Sequence, residues 1–179
     1  MSEPLLPLWT PSAPRASGAA ISRFLEQVAA THGIKIPDYA SLHRWSIENP
    51  EQLWPMVWRF CGVTASATSD TVVLHDDRMP GAAWFPDARL NFAENLLQRR
   101  DQGVALIGLL EDGSRREISF ADLYLQVAKL AAALRHQGVG VGHRVAGLMP
   151  NIPETVIAML ATASLGAIWT SCSPDFGFQ

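Results

Sequence analysis

Lysine is almost missing from this 179-residue sequence: of its 14 basic residues only Lys35 and Lys129 are lysines, a bias we read as genomic composition and not as chemistry. The formal charge is −3 and the pI is near 5.9. The chain therefore lacks the basic face that nucleic acid or an anionic membrane requires, and neither is expected as a partner. Cysteine is just as scarce. Cys61 and Cys172 lie far apart, each in an apolar run, and read as two buried free thiols of a reducing cytosol, not as a disulfide or a metal pair. The first 18 residues, MSEPLLPLWTPSAPRASG, carry an early acid and several prolines but no basic n-region and no apolar h-region, so they are not a signal peptide. The uncharged stretch from Thr155 to Trp169 is too short for a membrane span and contains Gly166. No repeat of solenoid length appears. Apolar material, by contrast, is plentiful: 48% hydrophobic against 17% charged is enough for one sizeable core and too much for a disordered tail.

The organising stretch is GVGVGHRVAGLMPNIPETVIAMLATASLGAIWTSCSPDFG, from Gly138 to Gly177. His143 to Met149 is a short apolar run with turn glycines before it and Pro150 after it, which suits a strand buried on both faces. Asn151 is placed to cap a new helix, with Glu154 three residues on reaching back as in a capping box, so a helix is expected from near Ile152. Val156, Ile157, Leu160, Ala161 and Ser164 keep helical spacing, and Gly166 is a left-handed stop. A second apolar run, Ala167 to Cys172, follows. Two strands joined by such a helix are expected to be parallel, with a right-handed crossover. Ser173, Pro174, Asp175, Phe176 and Gly177 then stand at the carboxyl end of a parallel strand, where open sheets of this kind bind ligands. The chain stops two residues later, at Gln179, which reads as a cut.

Earlier in the chain, residues 1–18 read as a surface arm. Ser17 to His32 gives an amphipathic helix with Ile21, Phe24, Leu25 and Val28 on one face, stopped by Gly33. Asp38 caps a brief helix carrying Leu42 and Trp45, and Asn49, Pro50 and Gln52 open another that runs to about Cys61. The aromatics of that helix, Trp54, Trp58 and Phe60, read as core and not as a ligand box. Thr71 to His75 reads as a strand and Asp76 to Gly81 as a turn. The cluster of His75, Asp76 and Asp77 has no second ligand group at metal spacing. Asn91 and Glu94 mark a helix from Phe92 that is expected to end in Arg99 and Arg100, a solvated basic end in preference to a phosphate site. Val104 to Leu110 and Arg115 to Ser119 flank Asp112-Gly113 as a hairpin. Ser119 and Asp122 cap a helix with Phe120, Leu123, Val127, Leu130, Ala131 and Leu134 on its stripe, closed by Gly138. The expected class is α/β: a helical N-terminal region, a hairpin, then a parallel sheet.

Composition and spacing name no reaction. The GVGVGH run from Gly138 follows a helix and opens a strand, the reverse of a dinucleotide fingerprint, so it is a turn. No Gly-rich loop with a Lys, no nucleophile elbow and no His/Cys ligand spacing is found.

Three blocks in order carry a family resemblance. They are DYASLHRWSIENPEQLWPMVW from Asp38, WFPDARLNFAENLL from Trp84, and the stretch from Gly138 to Gly177. Together they resemble the N-terminal part of the acyl-CoA synthetases of the adenylate-forming superfamily. The ending TSCSPDFG is similar to the acetoacetyl-CoA synthetase branch. One departure is His143, where the family usually has Asp in a surface turn.

The resemblance implies a helical cap region over residues 1–96 and the incomplete start of an AMP-binding domain over 97–179. It implies an ATP-dependent ligase of the cytoplasm that joins acetoacetate to CoA through an acyl-adenylate, with ATP, CoA and Mg²⁺ as its cofactors. The catalytic residues would lie past Gln179, leaving this chain inactive alone. Ser173, Pro174, Asp175, Phe176 and Gly177 would line the way in for the CoA nucleotide, as wall and not catalyst. The same five residues read equally as an ordinary strand-end loop. Two other readings stand beside this one: a non-catalytic binding or interaction module, and a ligase for acetate, propionate or a longer acid.

Overall fold

A computed structural model describes residues 8–176. The chain forms two compact units that interleave in sequence: the described part of Met1–Val63 with Asp70–Pro86, and Thr64–Ser69 with the described part of Asp87–Gln179. No helix among the described residues is long and apolar enough to cross a membrane.

The first unit is helical. Within its arm residues 13–17 form α1 (Ala13–Ser17), with Pro14 in the first turn, so Ser17 ends one helix where the sequence suggested it began another. Helix α2 (Ala20–His32) buries Phe24 and Val28 and stops at Gly33, whose φ of 64° is the left-handed conformation that glycine allows. Helix α3 (Tyr39–Glu48) is capped as expected, the Asp38 carboxylate accepting the Ser41 N–H at 2.8 Å. It buries Leu42, and α4 (Pro50–Phe60) buries Met56. These residues and Ile36 form one core. Asn49 does not cap α4 with its side chain. It sits at the shared end of two helices, and its amide donates instead to the Trp45 carbonyl at 3.0 Å. The strand expected from Thr71 to His75 shrinks to β1 (Val73–Leu74), because His75 turns to a φ of 57° and leaves the ladder. It pairs antiparallel with β2 (Ala83–Trp84). The α4 aromatics each meet another ring, Phe60 on Phe24, Trp54 on Trp84 and Trp58 on Phe85, at 5.0–5.9 Å between centroids. Of the three only Phe60 packs against the core; Trp54 and Trp84 are exposed, so the core reading holds for Phe60 and fails for Trp54.

The second unit carries the α/β part. Helix α5 (Phe92–Leu96) is capped by Asn91, whose carbonyl oxygen accepts the Glu94 N–H at 3.1 Å while its amide donates to Ala163 at 3.0 Å. The helix ends before Arg99 and Arg100. Arg99 is drawn away by two 2.8 Å bonds to Asp101 and lies over the Phe120 ring, while Arg100 lies over Tyr124. Strands β3 (Val104–Leu109) and β4 (Arg115–Ser119) form the expected hairpin, turning through Gly113. Helix α6 (Phe120–His136) starts at Ser119, whose hydroxyl accepts the Asp122 N–H at 3.0 Å. Then β5 (Arg144–Leu148), α7 (Pro153–Ser164) and β6 (Ile168–Cys172) make the expected unit. The strands are parallel, with Arg144 opposite Ile168 and Leu148 opposite Cys172. Leu123, Val127 and Ala131 of α6 meet Ile157, Leu160 and Ala161 of α7 in the core. Full burial of the larger of these side chains stabilises the fold by about 1.5–3 kcal/mol each.

Three expectations fail, two of them in this region. Asn151 does not cap α7. The chain makes a tight turn in which Ile152 N–H reaches the Pro150 carbonyl at 2.9 Å, moving the cap to Ile152, and Glu154 reaches Arg116 at 2.6 Å instead of back to its own helix. The strands are not buried on both faces. Val145, Gly147 and Trp169 are at least partly shielded, whereas Ala146, Leu148, Ile168, Thr170 and Cys172, on the opposite side of the pleat, are exposed. Helix α7 packs on the pair, but only one face gains cover. Lastly, both free cysteines are exposed: Cys61 falls past the buried stripe of α4, and Cys172 ends β6 on the open face.

Candidate functional site

The carboxyl ends of the parallel pair lie level. The Met149 N–H donates to the Cys172 carbonyl at 3.1 Å, so the turn after β5 and the turn after β6 leave the sheet side by side. On the β5 side the turn from Pro150 to Ile152 is braced by the Thr155 hydroxyl, which donates to the Pro150 carbonyl at 2.7 Å. It is braced again at α7, where Arg116 of the hairpin binds Glu154. The Arg116 guanidinium beside Glu154 holds that carboxyl below its usual range.

On the β6 side, Ser173, Pro174, Asp175 and Phe176 come together in one turn; Gly177 lies outside the described residues. The Asp175 N–H donates to the Ser173 hydroxyl at 3.2 Å, and that hydroxyl donates to the Asp175 carboxylate at 2.9 Å. The Phe176 N–H closes the turn on the Ser173 carbonyl. The Phe176 ring is 72% exposed. This turn offers an aromatic face and no cation of its own. It can border a ligand, and its Ser173 hydroxyl and Asp175 carboxylate are bonded to each other.

Spacing along the chain gave no sign of a cleft of about 470 Å³ between the hairpin and the start of α7, lined by Leu110, Ser114, Arg115, Arg116, Ile152 and Glu154. Its opposed charges come from positions 38 apart, Arg116 and Glu154, and only the fold joins them. A second cleft of about 330 Å³ includes Arg100, Tyr124, Asn91 and Glu94. The guanidinium of Arg99, considered with Arg100 as a phosphate site, is committed to Asp101. Among the described residues no group of three or more His, Cys, Asp or Glu converges as a metal site, His75, Asp76 and Asp77 included.

Comparison with known proteins gives this geometry a context. A family model described as the N-terminus of acetyl-coenzyme A synthetase matches residues 39–96, and one described as AMP-binding enzyme matches 92–178. An acetoacetyl-coenzyme A synthetase of Rhizobium meliloti is 43% identical over 97% of this chain and 26% of its own length. A malonamoyl-CoA synthetase of Penicillium aethiopicum is 41% identical over 95% of the chain and 24% of its own. The solved structure of acetoacetyl-CoA synthetase from Streptomyces lividans superposes with a TM-score of 0.87 at 44% identity, over 97% of this chain and 27% of that one. The chain thus spans about a quarter of the length of the relatives it matches. By sequence and by fold it is similar to the amino-terminal quarter of acetoacetyl-CoA synthetases, with the AMP-binding enzyme model matching its second half.

Proposed function

We propose that this chain serves as the N-terminal part of an ATP-dependent acid–CoA ligase acting in the cytoplasm. The reaction is acetoacetate with ATP and CoA giving acetoacetyl-CoA, AMP and pyrophosphate. The acid carboxylate attacks the α-phosphorus to form an acyl-adenylate and release pyrophosphate; the CoA thiol then displaces AMP. The supporting observation is the match to an acetoacetyl-CoA synthetase structure across nearly the whole chain, at 44% identity. In this reading residues 1–96 act as the cap region and 97–179 open the AMP-binding domain.

Within that ligase the turn of Ser173, Pro174, Asp175 and Phe176, with Gly177 after it, forms wall for the CoA nucleotide. Phe176 presents its exposed ring to the base, where stacking contributes about 1–3 kcal/mol. The Mg²⁺ implied by the family resemblance finds no cluster of three or more His, Cys, Asp or Glu ligands among the described residues. The 179 residues alone carry out neither half-reaction.

The test is exchange of labelled pyrophosphate into ATP, measured with acetoacetate, malonamate, acetate and propionate in turn. It is run on the chain alone and on the Streptomyces lividans enzyme with its matched quarter replaced by this chain. Acetoacetate-dependent exchange by the chimera and none by the chain supports the proposal. Exchange by the chain alone, or a chimera that exchanges only with another acid, overturns it.

A further inference from the structure

A cleft of about 330 Å³ opens among α5, α6 and the end of α7, and it carries charge that the fold leaves unspent. Its floor is apolar: Leu97 and Val127 are buried core residues. Its amide and serine groups are already used. The Asn91 side chain accepts the Glu94 N–H and donates to the Ala163 carbonyl, and the Ser164 hydroxyl donates to the Ala161 carbonyl. Three groups remain. Among the described residues none of the Glu94 carboxylate, the Arg100 guanidinium and the Tyr124 hydroxyl holds a hydrogen bond or an ion pair.

Glu94 and Arg100 line the same cleft without bridging it. Arg100 lies instead over the Tyr124 ring, 3.9 Å from its centre, which fixes the cation without consuming its N–H groups. A carboxylate and a guanidinium held apart over an apolar floor match a ligand that has both charges and an apolar body. Phosphate groups are disfavoured, because a carboxylate stands beside the unspent cation and the neighbouring Arg99 is committed to Asp101. The volume is at the small end of the roughly 300–1,000 Å³ of ligand clefts, which suits a ligand of amino-acid size and not a coenzyme.

We propose that this cleft binds a free α-amino acid with an aliphatic side chain. The carboxylate of the ligand meets Arg100, its ammonium meets Glu94, and its side chain rests against Leu97 and Val127. The site is separate from the turns after β5 and β6: Ser164 ends α7, and a helix of 12 residues puts that end about 18 Å from Pro153. Binding there is independent of pyrophosphate exchange, so the outcome of either measurement leaves the other untouched.

The experiment titrates the 179-residue chain with leucine and follows backbone amides by heteronuclear NMR. The amides of Glu94, Arg100 and Ala128, which line the cleft, should move together and saturate with a dissociation constant of about 1 mM or tighter, the range open to a ligand of so few atoms. Leucinamide lacks the carboxylate, isocaproate the ammonium and glycine the apolar body, and each should bind about fivefold or more weakly. Glu94→Gln and Arg100→Gln, both at exposed positions, should keep the circular dichroism of the parent and weaken leucine binding by a like factor. No saturation at about 10 mM leucine overturns the proposal, as does equal binding of leucinamide, isocaproate or glycine. Shifts confined to other parts of the chain, or unchanged binding in either variant, also overturn it. If a variant unfolds, the parent's shifts and the three analogues decide.

Discussion

The Trp169 indole lies across Gly147 of the neighbouring strand, closely enough that glycine there is a packing requirement. A Cβ added at Gly147 would stand 2.5 Å and 2.9 Å from two ring carbons of Trp169 and 3.3 Å from the Met149 sulfur. Carbon atoms sit comfortably at about 3.5–4.0 Å, so Gly147→Ala must push a rigid ring by about 1 Å. Overpacking of this kind costs about 1–3 kcal/mol. Against it, alanine in a strand gains about 0.5–1 kcal/mol over glycine through lower unfolded-state entropy. The net expectation is a loss of about 1–2 kcal/mol, which with an m-value of about 1–3 kcal/mol/M in urea moves the midpoint down by roughly 0.3–2 M. The decisive measurement is the same substitution in a Trp169→Ala background, followed by circular dichroism. With the ring gone only the entropic gain remains, so Gly147→Ala should stabilise there. A penalty of equal size in both backgrounds refutes the steric argument, and so does no penalty in either.

Three further outcomes are expected. Thr162 is fully buried in α7 and its hydroxyl has no hydrogen-bond partner, so Thr162→Val should raise stability by about 1 kcal/mol in thermal unfolding; a loss would show an unseen partner. Asn91 both caps α5 and ties it to the end of α7, and Asn91→Ala should cost about 1–3 kcal/mol, more than a cap alone, measured by urea unfolding. Glu154 has its pKa lowered in the folded state by Arg116, so its contribution is fully present above the ordinary glutamate value of about 4.3 and is lost as pH falls through the lower folded value. Melting temperatures measured from pH 6 to pH 3 should therefore fall more steeply for the parent than for Glu154→Gln, and the gap should narrow in high salt because the pair is exposed; parallel curves would remove the pair from the account.

Local chemistry was readable wherever it was self-contained. Ser119 with Asp122 and Asn91 with Glu94 cap their helices with bonds that span three residues, and the turn through Gly113 needs only its own neighbours. The parallel β5–α7–β6 unit followed from alternating periods and a glycine stop. The misreadings come from partners that spacing does not show, either competing for a group or absent from beside it. Asn49 and Asn151 have cap composition, but Asn49 is claimed by the preceding helix and Asn151 is bypassed by a tight proline turn. Arg99 leaves its helix for Asp101. Cys172 sits in an apolar run whose other side this chain leaves open, so composition indicated burial where the structure shows exposure. At the candidate site the turn after β6 could be placed from sequence, whereas the cleft joining Arg116 to Glu154 could not.

The interleaving of the two units has a practical side. Residues 64–69 belong with the second unit although the first resumes after them, and they are held there by Arg89, which exchanges backbone bonds with Ala67. No single peptide bond can be cleaved so as to free one unit intact from the other. During synthesis the first unit must wait for Pro86 to leave the ribosome, by which time six residues of its neighbour have already been made. A protease that nicks the chain between Ser69 and Asp70 should yield two pieces that remain together under native conditions and part only in denaturant, because each carries a portion of the first unit.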